Sequence, residues 1–176
     1  MDAQTPSRDV VILGGGLAGL TVAMQLKQAD AGLDVLVLER RSEPAPEAAH
    51  KVGESTVEVG AHYFDKVLGL GEHLRQRHLR KFGFRFFFSE GRRDLDQVTE
   101  IGASMHLSVP SFQIDRGIFE NFLVEEARRR GIEVIEGSMV RRVDLAESSA
   151  DPSSRHRVGY TQGGSGHDVA SRWVVD

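Results

Sequence analysis

The chain has 176 residues, of which 22 are Lys or Arg and 26 are Asp or Glu, and its formal net charge is −4. Acidic and basic residues are well mixed, which argues against a nucleic-acid-binding protein and gives no reason to expect electrostatic docking on a membrane. Hydrophobic residues make up 40% of the chain and cysteine is absent, so the composition favours one packed domain and excludes disulfides, thiolate zinc sites and cysteine nucleophiles.

The first elements predicted along the chain are a strand, a helix and a second strand. Asp9–Leu13 and Asp34–Leu38 are short, continuous apolar runs, which are typical of parallel strands buried on both faces. Between them, Leu17–Asp30 has apolar residues four apart on one face, a pattern that predicts a helix. Ala31 and Gly32 end this helix, so the sequence predicts a βαβ unit.

The middle of the chain is predicted to contain a loop, one helix and two strands. Prolines and small residues indicate the loop, and Gly69 marks the end of the helix. One face of the first strand is expected to be only partly covered, because its apolar residues do not alternate regularly. In chain order the segments are the loop Ser42–Glu47, the helix Thr56–Leu68, the aromatic strand Phe82–Phe88, the charged loop Gly91–Gly102 and the strand Met105–Val109.

The last third of the chain is predicted to begin with a helix that Asp115 caps and Gly131 ends, and to continue as strands. In chain order the segments are the helix Asp115–Arg130, the strands Ile132–Ile135 and Met139–Leu145, the polar turn Ser148–Ser154, and a hairpin of Arg157–Thr161 and Val169–Val175 around the loop Gly163–Gly166. The chain stops at Asp176 directly after an apolar strand, so we expect it to be the N-terminal part of a longer protein.

The glycines from Gly14 to Gly19 match the G-x-G-x-x-G fingerprint of dinucleotide-binding proteins, and they lie between the predicted strand and helix. Gly14 permits the tight turn, Gly16 lets a pyrophosphate approach the backbone, and Gly19 lets the helix pack closely on the sheet. The free N–H groups at the start of the helix then face the phosphates. A glycine-rich turn in an unrelated α/β protein is the alternative.

Glu39 ends the second predicted strand about 20 residues beyond Gly19, where this fingerprint places an acidic residue. Its carboxylate can accept both ribose hydroxyls and repels a 2′-phosphate, so NADP is not expected. Leu17, Ala18 and Arg40 complete the predicted cofactor-binding set at this turn. An NAD domain would continue with alternating strands and helices; the β-rich sequence after Glu39 instead favours FAD.

Three further segments carry a resemblance to a known family. Lys51–Thr56 resembles the G-E-S/A-T segment of flavin-dependent halogenases and their monooxygenase-like relatives, and Gln113–Glu120 is similar to the segment that opens their long helix. Arg172–Asp176 resembles the strand before a second FAD motif, D-A-x-G. The resemblance covers essentially the whole chain and implies the N-terminal part of a single Rossmann-like FAD-binding domain, of α/β class with additional strands.

The resemblance also implies roles for individual residues. The glycines and Glu39 would hold the ADP half of FAD, and Arg116 would lie near the pyrophosphate or the ribityl chain. Val140 would meet adenine through its backbone. Residues 82–112 would begin a substrate-side β region, and most of the substrate pocket would lie beyond Asp176. The residues expected near the isoalloxazine ring are Gly53, Glu54, Ser55 and Thr56.

Lys81 is the candidate catalytic residue. In halogenases a lysine at a similar place is thought to handle hypohalous acid made at the flavin, so the resemblance implies that role here. The alternative is a solvated lysine at a strand edge. At least half of the phenylalanines in Phe82–Phe88 are predicted to belong to the core, and the others could line an aromatic substrate pocket. The histidines show no metal-ligand spacing, and His62 and His73 are interpreted as solvated.

The resulting functional prediction is an FAD-dependent oxidoreductase that activates O₂ at reduced flavin to halogenate or hydroxylate a small organic substrate. A separate flavin reductase is a possible partner, and the chain alone is expected to be inactive. Alternatives are a flavin reductase or dehydrogenase similar to geranylgeranyl reductases, and a non-catalytic FAD- or nucleotide-binding module. The polar start, the lack of a membrane-length apolar run and the absence of cysteine favour a cytoplasmic protein.

Overall fold

The computed structural model describes residues 5–146 and 155–176, and the chain divides into two compact units. The first, here called the discontinuous unit, combines the described residues up to Ala49 with Arg116–Asp176. The second, here called the inserted unit, is His50–Asp115. The predicted polar turn Ser148–Ser154 lies outside the described residues. The assignment of the whole chain to a single domain stays a prediction.

The described part of the chain forms strands throughout, and its helices all lie before Arg130. The strands are β1 (Ser7–Leu13), β2 (Val35–Leu38), β3 (Leu79–Arg80), β4 (Arg85–Phe88), β5 (Thr99–Gly102), β6 (Phe112–Gln113), β7 (Glu133–Ile135), β8 (Ser138–Asp144), β9 (His156–Gln162) and β10 (Ser165–Val175). The helices are α1 (Leu17–Ala29), α2 (Glu58–His62), α3 (Gly71–Arg77) and α4 (Arg116–Arg129), with a π-helical turn at Tyr63–Val67 and a 3₁₀ turn at Leu95–Gln97.

The discontinuous unit is built on a six-stranded sheet in the order β7-β2-β1-β10-β9-β8. The pairs β7–β2, β2–β1 and β1–β10 are parallel, and β10–β9 and β9–β8 are antiparallel. All four residues of β2 are buried, as expected of a parallel strand with both faces covered. The predicted βαβ unit and the α/β fold with a mostly parallel sheet are confirmed.

The core of this unit lies on both faces of the sheet. One cluster consists of apolar side chains of β1, β2, β9 and β10. Elsewhere in the unit, α1 contacts α4, and each of these two helices buries one apolar side. The predicted C-terminal hairpin is confirmed, and its turn is Gly163–Gly164. Both glycines have positive φ, 56° and 83°, which a two-residue hairpin turn requires and a side chain would disfavour.

The inserted unit begins with α2, which passes directly into the π-helical turn Tyr63–Val67. The predicted helix Thr56–Leu68 therefore starts at Glu58 and is only partly α-helical. Gly69, at φ 73°, ends it as expected, but α3 follows and was not predicted. The buried apolar residues of this unit are Ala61, Phe64, Leu68, Leu70, Leu74, Phe112 and Ile114.

Two strand assignments in the inserted unit are wrong. Thr99–Gly102 is not loop but forms β5, because its backbone pairs antiparallel with β4. Met105–Val109 is not a strand: no described segment pairs with it, and its apolar side chains are exposed. Backbone pairing decides both outcomes, and side-chain alternation does not reveal whether a partner strand exists.

The aromatic hairpin of β4 and β5 also differs from expectation. Phe84, Phe86, Phe87 and Phe88 are all exposed, Phe84 by 68%, and Phe82 is half-buried. The prediction that at least half of these phenylalanines form core is therefore wrong for the described chain. A two-stranded ribbon has no opposing layer of its own, so its aromatic side chains face outward unless another element covers them.

A pair of histidines lies inside the inserted unit. The rings of His73 and His78 meet edge to face with centroids 5.2 Å apart, and His78 Nδ1 accepts a hydrogen bond from the backbone N–H of Asp115 at 3.2 Å. Burial lowers the pKa of His73 to about 4, assisted by the nearby His78 and Arg77. The interpretation of His73 as a solvated residue is therefore wrong.

This pair predicts an acid-sensitive fold. Below pH 6.5 the unfolded chain binds a proton at His73 that the folded chain does not bind until about pH 4. Lowering the pH through this window should therefore reduce the free energy of unfolding, by ~1–2 kcal/mol after allowance for solvent screening. Urea unfolding at pH 7 and 4.5 measures it. Between pH 7 and 4.5, His73→Gln should lose less free energy of unfolding than the parent. The control His62→Gln, at an exposed histidine, should lose as much as the parent. Equal losses in all three proteins would contradict the assignment to His73.

Candidate dinucleotide-binding site

The glycine turn between β1 and α1 has the geometry that its sequence predicts. Gly14 adopts φ 107°, a conformation that side chains disfavour, and its N–H donates to the carbonyl of Leu38 at 2.8 Å. A Cβ on Gly19 would lie 2.0 Å from the Gly14 carbonyl oxygen, whereas a Cβ on Gly16 would meet no atom within 4 Å. Gly19 therefore permits close packing, and Gly16 borders open space.

A cavity of about 380 Å³ opens at this turn. Within the described discontinuous unit, no side chain caps α1 at Gly16, and the first turn of α1 carries no acidic residue. The N–H groups of that turn have no partners within the helix, so they form a site for an anion. The cavity brings together six predicted site residues, Gly14, Gly16, Leu17, Ala18, Gly19 and Arg116, and is completed by Ile12, Leu13, Val22, Val175 and Asp176.

Glu39 is held beside the glycine turn by two backbone groups. Its Oε2 accepts the N–H of Gly15 at 2.6 Å, and its Oε1 accepts the N–H of Arg41 at 2.8 Å. A Cβ on Gly15 would come within 2.8 Å of the Glu39 Cβ, so glycine also lets the two segments approach. Arg40 is exposed, and its role in cofactor binding stays a prediction.

The turn between β7 and β8 supports the backbone around Glu39. Ser138 donates its N–H to the Glu39 carbonyl at 2.8 Å, and Gly137 donates to the Arg41 carbonyl at 3.0 Å. Val140 follows in β8, next to a bulge in its pairing with β9, and its side chain packs against the core. The predicted backbone contact of Val140 with adenine remains a prediction.

Arg41 and Glu120 were missed by the sequence analysis. Glu120 is buried in α4, where its Oε1 accepts Nη2 of Arg116 and its Oε2 lies 3.4 Å from Nη1 of Arg41. The i,i+4 spacing of Arg116 and Glu120 on a predicted helix could have suggested the first pair. Nothing in the sequence indicates the contact of Arg41, which is far away along the chain.

In the inserted unit, the Gly53–Thr56 segment is fixed against β6. The Glu54 carbonyl accepts the N–H of Ile114 at 2.8 Å, and Thr56 N–H donates to the Phe112 carbonyl at 2.9 Å. Thr56 Oγ1 also accepts the N–H of Phe112 at 2.8 Å. Gly53 has φ 90°, which explains a glycine at the start of this segment. The proximity of the Gly53–Thr56 segment to the flavin ring stays a prediction.

Lys81 binds the same segment. Its Nζ donates to Ser55 Oγ at 2.8 Å and to the Thr56 carbonyl at 2.6 Å, and it lies 5.2 Å from the centroid of the Phe84 ring. Two directed hydrogen bonds argue against the alternative of a solvated strand-edge lysine. The catalytic role of Lys81 is not tested by these contacts and remains a prediction.

Two negative findings apply to residues 5–146 and 155–176. No group of three or more His, Asp or Glu residues there is arranged to hold a metal ion. No helix within those residues is long and apolar enough to cross a membrane.

Comparisons with known proteins bear directly on the glycine turn. The family model of NAD(P)-binding Rossmann-like domains matches residues 12–82. Flavin-dependent halogenase chlA of Dictyostelium discoideum is 33% identical over 77% of this chain and 24% of its own length. FAD-dependent monooxygenase nodM of Hypoxylon pulicicidum is 45% identical over 40% of this chain and 14% of its own length.

Solved structures of flavin-dependent halogenases resemble this chain over nearly its whole length. The myxobacterial chondrochloren halogenase CndH aligns with a TM-score of 0.75 and 26% identity, covering 97% of this chain and 37% of that protein. The flavin-dependent halogenase CmlS aligns with a TM-score of 0.72 and 28% identity, covering 99% and 29%. Its relatives in sequence and its neighbours in structure are flavin-dependent halogenases and FAD-dependent monooxygenases. The predicted family is confirmed, and FAD is confirmed as the cofactor at the level of these relatives.

The chain spans about a quarter of the length of chlA, the first of these relatives. The same fold also occurs in a geranylgeranyl bacteriochlorophyll reductase-like protein from Thermoplasma acidophilum, with a TM-score of 0.71 and 19% identity. At that identity the likeness concerns the fold alone. The comparisons therefore support an FAD-binding protein, and the reaction is left to be proposed.

Proposed function

We propose that this chain binds the ADP half of FAD at the glycine turn and belongs to an enzyme that activates O₂ at reduced flavin to halogenate or hydroxylate a small organic substrate. The observation that carries the proposal is the cavity at the start of α1, where open space at Gly16 adjoins uncapped N–H groups and Arg116. A diphosphate fits this chemistry, because it is anionic and needs close approach to the backbone.

Each part of the site has a separate task. The first turn of α1 and Arg116 bind the diphosphate, and Gly16 leaves the space that it occupies. Glu39 accepts the ribose hydroxyls with lone pairs that its bonds to Gly15 and Arg41 leave available, since a carboxylate offers about four acceptor positions. When bound, FAD supplies the redox chemistry, and the protein supplies its position and electrostatic surroundings.

Halogenation is the favoured reaction, because the halogenase relative matches 77% of the chain and the monooxygenase relative 40%. Lys81 is the proposed catalytic residue, placed at Ser55 and Thr56 by its two hydrogen bonds. A separate flavin reductase as partner and a cytoplasmic location remain part of the proposal. A reductase of the geranylgeranyl type is the second candidate and rests on the shared fold alone.

The test is titration of the chain with ADP and FAD by calorimetry. Glu39→Ala should weaken ADP binding by about 1–3 kcal/mol, the range for lost hydrogen bonds to a charged group. Glu39→Gln should raise the affinity for 2′,5′-ADP relative to ADP, because it removes the charge that repels a 2′-phosphate. The control is Glu43→Ala, at an exposed glutamate of the following loop, which should bind like the parent.

Two results would count against these assignments. If the parent chain binds neither ADP nor FAD, the proposed function fails. If the parent binds ADP and Glu39→Ala binds it equally well, Glu39 does not belong to the site.

A further inference from the structure

Glu120 is a buried carboxylate shared by two arginines. Its side chain is only 2% exposed, although it carries a charge. Arg116, one helical turn earlier in α4, donates to Oε1, and Nη1 of Arg41 lies 3.4 Å from Oε2. The two arginines come from different parts of the discontinuous unit, so Glu120 ties α4 to the segment after β2.

Both arginines lead to the glycine turn. Arg116 lines the cavity. Arg41 donates its backbone N–H to Glu39 Oε1 at 2.8 Å, and Glu39 in turn accepts the N–H of Gly15 at 2.6 Å. A continuous series of contacts therefore runs from Arg116 through Glu120, Arg41 and Glu39 to the glycine turn, and Glu120 is its only fully buried charged member.

Burying the carboxylate of Glu120 is unfavourable unless its oxygen atoms accept well-placed hydrogen bonds. Removing a carboxylate from water is unfavourable, and two guanidinium groups offset this only when they are held in hydrogen-bonding positions. The consequence for the arginines is equally important. Long arginine side chains lose rotamer freedom when they are fixed, and a shared buried partner fixes both before any ligand arrives.

We propose that Glu120 is a positioning residue for the nucleotide. It holds Arg116 at the cavity. It also holds the side chain of Arg41, whose backbone N–H binds the carboxylate of Glu39 beside the glycine turn. The inference rests on the proposed function, because it assumes that the ADP half of the cofactor lies at the glycine turn.

A purely electrostatic role for Glu120 predicts the opposite effect of neutralising it. The three side chains Arg41, Glu120 and Arg116 carry a net charge of +1, and Glu120→Gln raises this to +2. If Glu120 only reduced the local positive potential, the variant would bind ADP more tightly, above all at low salt. If Glu120 positions the arginines, the variant binds ADP more weakly at every salt concentration.

The experiment is calorimetric titration of ADP into the chain at 20 and 200 mM NaCl. Glu120→Gln is expected to weaken binding at least tenfold at both concentrations. The control is Glu126→Gln on the same helix, since Glu126 is also buried and pairs with two arginines, Arg129 and Arg130, away from the cavity. It should lose comparable thermal stability and keep its ADP affinity within about twofold, which separates positioning from a general effect on α4.

A double substitution tests the connection through Arg116. Arg116→Gln should weaken ADP binding, and combining it with Glu120→Gln should cost less than the sum of the two separate effects, because Glu120 acts in part through Arg116. If Glu120→Gln does not fold, Glu120→Asp retains the charge but shifts it by one methylene, and it should weaken ADP binding at least threefold.

The outcomes separate this inference from the proposed function. No ADP binding by the parent chain removes the proposed function and the inference together. Tight ADP binding by the parent, with Glu120→Gln or its Asp replacement binding equally well or better, overturns the inference alone, as does an equal loss in Glu126→Gln.

Discussion

Replacing Gly16 with alanine is expected to weaken ADP and FAD binding by roughly 100-fold, about 2.7 kcal/mol, while the chain stays folded. The added Cβ meets no atom within 4 Å, and Gly16 has φ −82°, which alanine adopts readily. The cost to the fold should stay within about 1 kcal/mol, the effect of a poorer N-cap residue. The methyl group occupies the space through which the diphosphate approaches the backbone. Calorimetry measures the affinity, and urea unfolding measures the stability.

Gly19 provides the matched comparison, because alanine there should do the reverse. Its Cβ would lie 2.0 Å from the Gly14 carbonyl oxygen, a backbone atom that cannot move without opening the turn. Gly19→Ala should therefore destabilise the chain by about 3 kcal/mol, at the upper end of the usual cost of overpacking. Wild-type ADP affinity in Gly16→Ala, or wild-type stability in Gly19→Ala, would show that the glycines do not have these roles.

The second large effect is expected at Lys81, in the proposed halogenating enzyme supplied with reduced FAD, O₂ and halide. Lys81→Met should reduce halogenation of an electron-rich phenol probe at least 100-fold, about 2.7 kcal/mol of barrier, and leave FAD affinity within about threefold. Methionine retains the apolar stem but loses the donors to Ser55 Oγ and the Thr56 carbonyl. Mass spectrometry of the probe and the rate of flavin reoxidation by O₂, measured in the same samples, separate product formation from cofactor turnover.

Lys81→Arg distinguishes the two roles that lysine can have. Arginine preserves the charge and can donate to both acceptors, so it should restore activity if Lys81 only positions the Gly53–Thr56 segment. Lys81→Arg should not restore activity if the amine nitrogen Nζ of Lys81 itself reacts with the oxidant. Lys66→Met is the control, because Lys66 is an exposed lysine of the same unit that pairs with Asp65. Normal halogenation of the probe by Lys81→Met would end the catalytic proposal for Lys81.

The sequence predicted the discontinuous unit well because its signals are local. Continuous apolar runs, glycine stops and the Gly14–Gly19 fingerprint each report on a few neighbouring residues, and the structure has a strand, turn or helix where they indicate one. The α4 helix was predicted to within about one residue at each end, since Asp115 and Gly131 mark its limits.

The inserted unit was predicted poorly because its structure depends on pairing between distant segments. Thr99–Gly102 is a strand only because β4 lies beside it, and Met105–Val109 alternates like a strand but has no partner in the described chain. The π-helical turn at Tyr63–Val67 has the same apolar spacing as ordinary helix over so short a stretch. Local pattern cannot separate these cases.

The candidate site shows the same division. Gly14, Gly16 and Gly19 were identified from their spacing, and Arg116 from a resemblance, and all four border one cavity. The contact between Arg41 and Glu120 and the hydrogen bonds of Lys81 to Ser55 and Thr56 are tertiary contacts, which carry no signature in a single sequence.

The strand order of the sheet has a consequence for how the protein folds during synthesis. β1 pairs in parallel with β10, so Ser7 must meet Ala170 across almost the whole chain. Closing so long a loop is entropically costly, and proteins rich in such distant contacts fold slowly. The inserted unit is one continuous segment and can gather its own contacts before β10 has left the ribosome. Until then one edge of β1 stays unpaired, and this edge is where nascent chains would associate with one another or with a chaperone.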